Sequence, residues 1–112
     1  MEKIKPVHPG EILLEEFIKP FGISQYKLAK DINVSQMKIS EIVNKKRRIT
    51  VDTALRLAKY FGMSTEFWMG LQNDYDVETT LDNKEFSNNI AKIRPFTNDM
   101  LYAWLKHTLH GW

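Results

Sequence analysis

The sequence predicts an all-α fold: a five-helix bundle followed by an extra C-terminal helical tail. Three observations carry this. Apolar residues recur at helical spacing in each segment long enough to bury a face. Good N-capping residues, Ser24, Ser35, Thr50 and Ser64, stand just before four of those segments, with Gly, Asn or Pro after them. No segment combines strand alternation with hairpin chemistry.

The elements follow in order. Pro9-Gly10 opens a helix over 11–19, with Leu13, Leu14, Phe17 and Ile18 on one stripe, and Pro20 and Gly22 close it. Ser24 caps a second helix over 25–32, whose inner face holds Leu28, Ala29 and Ile32. Asn33-Val34 turns the chain, and Ser35 caps a third helix reaching Val43, with Ile39, Ile42 and Val43 inward. Asn44-Lys45-Lys46-Arg47-Arg48 is a polar loop. Thr50 caps a fourth helix through Phe61, where Ala54, Leu57, Ala58 and Phe61 fall at i, i+3, i+4 and i+7. Gly62 stops it, and Ser64 caps a fifth carrying Phe67, Trp68, Leu71 and Tyr75. These make one domain over 1–82. Residues 83–96 are expected as a linker, because 82–89 is polar and Arg94-Pro95 resists helix at Arg94. Thr97 is the expected cap of a tail helix over 97–112, with Met100, Leu101, Trp104, Leu105 and Leu109 on one side.

Composition removes several function classes. With no cysteine among 112 residues there are no disulfides, thiolate metal sites or cysteine nucleophiles. No apolar run is long enough to span a bilayer and the first residues do not form a signal peptide, so the chain is read as cytoplasmic, with no membrane partner. Glu15 and Glu16 are adjacent, hence on different helix faces, and make a poor acid/base pair. Asp74, Asp76 and Glu78 lack the turn glycine and terminal ligand of a calcium loop. His107 and His110 stand at i, i+3 without a third ligand, so no metal and no cofactor is expected. Without a Gly-rich phosphate loop or a nucleophile–base arrangement, the chain is not expected to be an enzyme.

The net charge of +2 hides an asymmetry. Over 24–48 the cations Lys27, Lys30, Lys38, Lys45, Lys46, Arg47 and Arg48 face only Asp31 and Glu41, whereas 73–112 is net acidic. That layout suits a module that docks on phosphates as well as a solvated basic surface. The helices beneath it decide. Two short helices joined by a tight turn and followed by a basic loop form a helix-turn-helix pattern. Ala29 is small where the helices must approach, and Asn33 tolerates the positive φ that such a turn needs. With Val34, Ile39 and Ile42 plugging the third helix onto the body, Ser35, Gln36, Met37, Lys38, Ser40 and Asn44 are left for the opposite or flanking surface. An α-helix fits the B-DNA major groove. There Gln36 pairs with adenine, Lys38 donates to guanine or phosphate, and Met37 touches a thymine methyl, each good base contact contributing about 1–3 kcal/mol of discrimination. The amides near Ser24 and Gln25 offer an anion site to a backbone phosphate, and Lys45, Lys46, Arg47 and Arg48 hold its neighbours. Two reading helices about 34 Å apart would meet successive half-sites, which calls for a homodimer. Trp68, Leu71 and Tyr75 are the candidate dimer interface, with Phe67 and Leu71 expected inside and Trp68 or Tyr75 nearer the partner. The tail helix is expected to fold back on the bundle or extend the dimer.

Several separated motifs resemble HigA-type antitoxins of the XRE (Cro/C1-like) helix-turn-helix superfamily, labelled in some relatives virulence-associated protein I. They are His8-Pro9-Gly10-Glu11-Ile12-Leu13-Leu14-Glu15-Glu16-Phe17, Ser24-Gln25-Tyr26-Lys27-Leu28-Ala29 and Ile39-Ser40-Glu41-Ile42-Val43-Asn44. Arg47-Arg48-Ile49-Thr50, Thr53-Ala54-Leu55-Arg56-Leu57-Ala58, Phe61-Gly62 and Glu66-Phe67-Trp68 continue the match, which covers about residues 7–80. The resemblance implies a lambda-repressor-like bundle and a small dimeric repressor of its own promoter, bound to palindromic double-stranded DNA. It also implies a HigB/RelE-like toxin, a ribosome-dependent endoribonuclease, as a partner that the chain neutralises. Asn33 stands where many relatives have glycine and Lys46 where they often do, and the tail from about Ile93 is outside the match. The alternatives are a stand-alone XRE regulator without a toxin and a protein-interaction adaptor that does not read DNA.

Overall fold

The computed structural model describes residues 5–96 and 103–106, and these are helices and their connections without a strand. They fall into two compact units, one reaching Thr80 and one starting at Leu81. In the first unit, α1 opens with an α-helical turn, Pro9–Ile12, and winds on as a π-helical stretch, Leu13–Ile18. There the Lys19 N–H donates to the Leu14 carbonyl, five residues back, at 3.0 Å. The helix starts two residues before the expected position. Pro9 takes the first helical place, where its missing N–H costs nothing, and the His8 Nδ1 accepts the Gly10 N–H at 2.9 Å as the cap.

Helices α2 (Gln25–Ile32), α3 (Gln36–Val43), α4 (Val51–Phe61) and α5 (Thr65–Asp82) follow. The side chains of Ser24, Ser35 and Ser64 accept the N–H groups of Lys27, Lys38 and Phe67 at 2.9, 3.1 and 3.1 Å. Thr50 does the same for Thr53 at 3.5 Å, and such caps contribute about 1 kcal/mol each. The far ends of α1, α2, α3 and α4 share one device. Among the described residues positive φ occurs at Gly22, Asn33, Lys45 and Gly62. After each, the next N–H returns to a carbonyl five residues earlier: Ile23 to Ile18, Val34 to Ala29, Lys46 to Glu41, Met63 to Ala58. Glycine adopts this left-handed backbone freely and Asn33 tolerates it, as expected. The loop position needing it is Lys45, one residue before Lys46, and a side chain there costs about 1–2 kcal/mol.

The core of this unit comprises Leu13, Leu28, Ile39, Ile42, Ile49, Ala54, Leu57 and Trp68, all fully buried. Trp68 is packed by Phe17 and Phe67 with ring centroids at 4.9 and 5.0 Å. It is therefore not available to a partner, contrary to expectation. The rotation of α5 turns Trp68, and Gln72 one turn later, into the core while Phe67 is only half-buried.

Two contacts fix the helix-turn-helix against the rest. A Cβ on Gly10 would lie 1.7 Å from the Ile42 carbonyl oxygen, so only glycine lets α1 press on the end of α3. From α4, the Arg56 Nη1 donates to the Ile32 and Asn33 carbonyls at 2.8 and 3.3 Å, capping the end of α2 at the turn.

In the second unit, α6 (Lys84–Ala91) lies where a linker was expected. Asn83 caps it by accepting the Phe86 N–H at 2.9 Å, and the Ser87 hydroxyl donates to the Leu81 carbonyl. The polar composition that suggested a linker is that of an exposed helix. Residues 93–96, including Arg94, are not helical. Of the expected tail stripe, Trp104 and Leu105 lie in an exposed helical turn, 103–106. Thr97, Met100, Leu101, His107, Leu109 and His110 lie outside the described residues.

Candidate nucleic-acid interface

The outer face of α3 is set by its inner one. Ile39, Ile42 and Val43 are buried, so Gln36, Met37 and Asn44 are exposed, with Met37 at 68%, and Lys38 and Ser40 are half-exposed. Ser35 spends its oxygen lone pair on the cap and keeps its O–H for other partners. Asn44 reaches back along the helix, its Nδ2 donating to the Ser40 Oγ at 3.3 Å. At the start of α2, Ser24 is exposed and Gln25 half-exposed, so the first amides open toward solvent as a helix N-terminus suited to an anion.

The loop after α3 corrects the expectation that its four cations stand ready for phosphates. Lys45 meets Glu11 at 3.4 Å, and Arg47 meets Glu41 at 2.7 Å. Arg48 grips both oxygens of Asp76 at 2.8 and 3.4 Å. Lys38 approaches Asp52 at 4.0 Å. Of the loop's four, Lys46 is without an ion pair among the described residues. These pairs are solvent-exposed and worth only about 0–1 kcal/mol each, so a phosphate can displace the carboxylates at small cost.

Arg48 also belongs to a clamp. The Gln72 side chain, 1% exposed, accepts the Ile49 N–H through Oε1 at 2.7 Å and donates through Nε2 to Asp76 at 2.9 Å. Burial works against the Asp76 carboxylate, but its bonds from Arg48 and Gln72 and the Arg48 charge outweigh this and hold its pKa below the ordinary range. The loop is thereby tied to α5 at two successive residues, Arg48 through Asp76 and Ile49 through Gln72, and the Ile49 side chain is itself buried. Beside this clamp the buried His8 ring meets Tyr75 edge-on at 4.8 Å. Burial, with the Lys45 charge behind it, lowers the His8 pKa against the opposing pull of Asp76 and Glu11. Tyr75 is thus half-buried by contacts within its own chain, and Leu71 packs against the core. Neither stands out as a free interface residue.

Sequence reasoning missed Gly10, Arg56, Gln72 and Asp76, which brace the motif, and Glu41, which shares the outer face of α3. Gln72 carried a signal: it stands one helical turn from Trp68 on an apolar stripe, where a polar side chain must find buried partners. Among the described residues no three His, Asp or Glu side chains gather as metal ligands, and no helix there is long and apolar enough to cross a membrane.

A helix-turn-helix family profile matches residues 14–68, from α1 into α5. Over 87 residues the chain is 48% identical to "Virulence-associated protein I" of Dichelobacter nodosus, covering 78% of this chain and 81% of that one. Antitoxin HigA-1 of Vibrio cholerae is 35% identical to this chain over 78 residues, with 70% and 73% of the two covered. The chain belongs to the HigA-type family of XRE helix-turn-helix proteins. Among solved structures, the Pseudomonas aeruginosa antitoxin HigA with the higBA promoter superposes with a TM-score of 0.76 and 39% identity, covering 82% of this chain and 99% of that one. The HigA-type family is one of DNA-binding regulators and antitoxins rather than enzymes.

Proposed function

We propose that this HigA-type chain is a sequence-specific transcriptional autorepressor and the antitoxin of a HigBA-type pair. The observation that carries the reading is the outer face of α3. It is polar, exposed and centred on Met37, and it stands on a helix-turn-helix held rigid by Gly10 and Arg56, in a chain 39% identical to an antitoxin solved with promoter DNA. In this reading Gln36, Met37, Lys38, Ser40 and Asn44 face base edges, while the α2 amides near Ser24 and Gln25, with Lys45 and Lys46, position the duplex. Arg47 stays with Glu41, and Arg48 holds the loop to α5 instead. Two copies on a palindrome would present two such faces, and a toxin would be neutralised by occlusion.

The test is a gel shift against the duplex upstream of the gene. Binding is expected to weaken with salt at a log–log slope of about −0.9 per phosphate neutralised. A Gln36→Ala, Lys46→Ala double variant is expected to lose about tenfold or more, since one good base contact alone contributes about 1–3 kcal/mol. Parent-like binding by that variant at about 100 mM salt would remove the docking geometry. Co-expression with the product of an adjacent small reading frame tests the second half: growth rescue and co-purification are expected, and their absence leaves a stand-alone regulator. An adaptor that does not read DNA would leave the duplex unshifted.

A further inference from the structure

We infer that Glu41 is a specificity-determining residue, a carboxylate braced by Arg47 to accept a hydrogen bond from a cytosine amino group in the major groove. The inference rests on the DNA reading proposed above. Position is the first argument. Glu41 lies four residues after Met37 and three before Asn44, so it shares the outward face of α3, opposite the buried Ile39, Ile42 and Val43. A carboxylate on a face meant only to hold phosphates would work against it. Asp31, the other acidic residue in the basic stretch, is on α2, engaged by Lys27 and Tyr60.

Geometry is the second argument. The Arg47 Nε and Nη2 both donate to one oxygen of Glu41, Oε1, at 3.0 and 2.7 Å. The other oxygen, Oε2, has no hydrogen-bond partner among the described residues. The two-donor grip holds Oε1 in place and leaves Oε2 as the oxygen that can accept from a base. It also neutralises Arg47, so the pair adds no net attraction to an arbitrary phosphate.

Chemistry selects the base. An ionised carboxylate only accepts. Guanine and thymine show it acceptors in the major groove, and adenine sets its N7 acceptor beside its amino group. Cytosine N4 offers a donor without an adjacent acceptor on the same base, and it is the partner a carboxylate matches. Duplexes lacking that cytosine leave the carboxylate facing an acceptor, which disfavours them.

Selection from a random-sequence duplex pool tests this, using the full chain and its Glu41→Ala and Glu41→Gln variants. The parent is expected to enrich duplexes with cytosine at one position of each half-site, preferred about tenfold over other bases. Glu41→Ala is expected to lose the preference at that position while keeping the others. Glu41→Gln, which preserves the shape and keeps its amide oxygen on Arg47, turns an Nε2 donor toward the base and is expected to switch the position from cytosine to a base that shows acceptors there, guanine or thymine. The isosteric variant carries the test even if the alanine form folds poorly. Identical selection by parent and Glu41→Gln, or a change at a position where the parent does not prefer cytosine, overturns the inference alone. Failure of the parent to enrich any sequence overturns the DNA reading and this inference with it.

Discussion

Replacing Gly10 and Gly70 by alanine should change stability in opposite directions. At Gly10 a new Cβ would stand 1.7 Å from the Ile42 carbonyl oxygen and 2.6 Å from its carbon. Ordinary C···O contacts begin near 3.3 Å, so α1 and the end of α3 must part by about 1.5 Å. Ile42 is fully buried, and forcing core elements apart costs about 1–3 kcal/mol, occasionally more. The same shift strains the His8–Gly10 cap, worth about 1 kcal/mol, while alanine's better helix propensity returns about 1 kcal/mol. The expected net loss is about 1–3 kcal/mol, which lowers the melting temperature of a domain this size by on the order of 5–20 °C. Gly70 lies within α5 with nothing inside 4 Å of its would-be Cβ. Gly70→Ala should therefore raise stability by about 0.5–1 kcal/mol. Thermal melts followed by far-ultraviolet circular dichroism measure both. A Gly10→Ala melt within about 2 °C of the parent, equivalent to under about 0.5 kcal/mol, would refute the close-approach argument.

Three further substitutions probe the stops, the clamp and the cap. Lys45→Gly should raise the urea midpoint by an amount equal to about 0.5–1 kcal/mol, because left-handed strain is relieved against a smaller entropic loss; a lowered midpoint would contradict it. Gln72→Leu strands the buried Ile49 N–H and should cost about 1–3 kcal/mol in denaturant unfolding; an unchanged midpoint would show that the clamp contributes nothing. The His8 pKa is lowered in the folded chain from 6.5, so the unfolded chain binds more protons as the pH falls below that value. Stability is fully present above pH 6.5 and declines as the pH drops toward the folded pKa. Asp76, also lowered, adds a decline of the same sign through the carboxylate range. His8→Asn keeps a capping side chain without the titration and should flatten the loss between about pH 7 and 5; an equally steep loss would place the proton elsewhere.

Local chemistry was legible in the sequence, and contacts between distant segments were not. Ser24, Ser35, Thr50 and Ser64 announce helix starts because their partners are N–H groups three residues away, and Gly62 and Asn33 announce ends through their own backbone freedom. The inner face of α3 follows from helical period alone. The fate of the basic loop does not. Arg48 finds Asp76 across 28 residues of chain, and Lys45 finds Glu11, through the packing of α1 and α5 beside the loop. The burial of Trp68 was missed for a related reason: its stripe was recognised, but the exact rotation of α5 decides which ring faces inward. Helix α6 was hidden by its composition. Phe86 and Ile90 are its large apolar side chains, and both are exposed, so the cap at Asn83 was the signal to weigh.

The four left-handed stops bear on how quickly the bundle assembles. Each is made by hydrogen bonds spanning five residues or fewer, so helix boundaries are encoded before any distant contact forms. Chains governed by near-neighbour contacts fold on microsecond to millisecond scales. A transiently opened copy would therefore reclose before most proteases could cut it, and its lifetime in a cell would follow its equilibrium stability more than its unfolding rate.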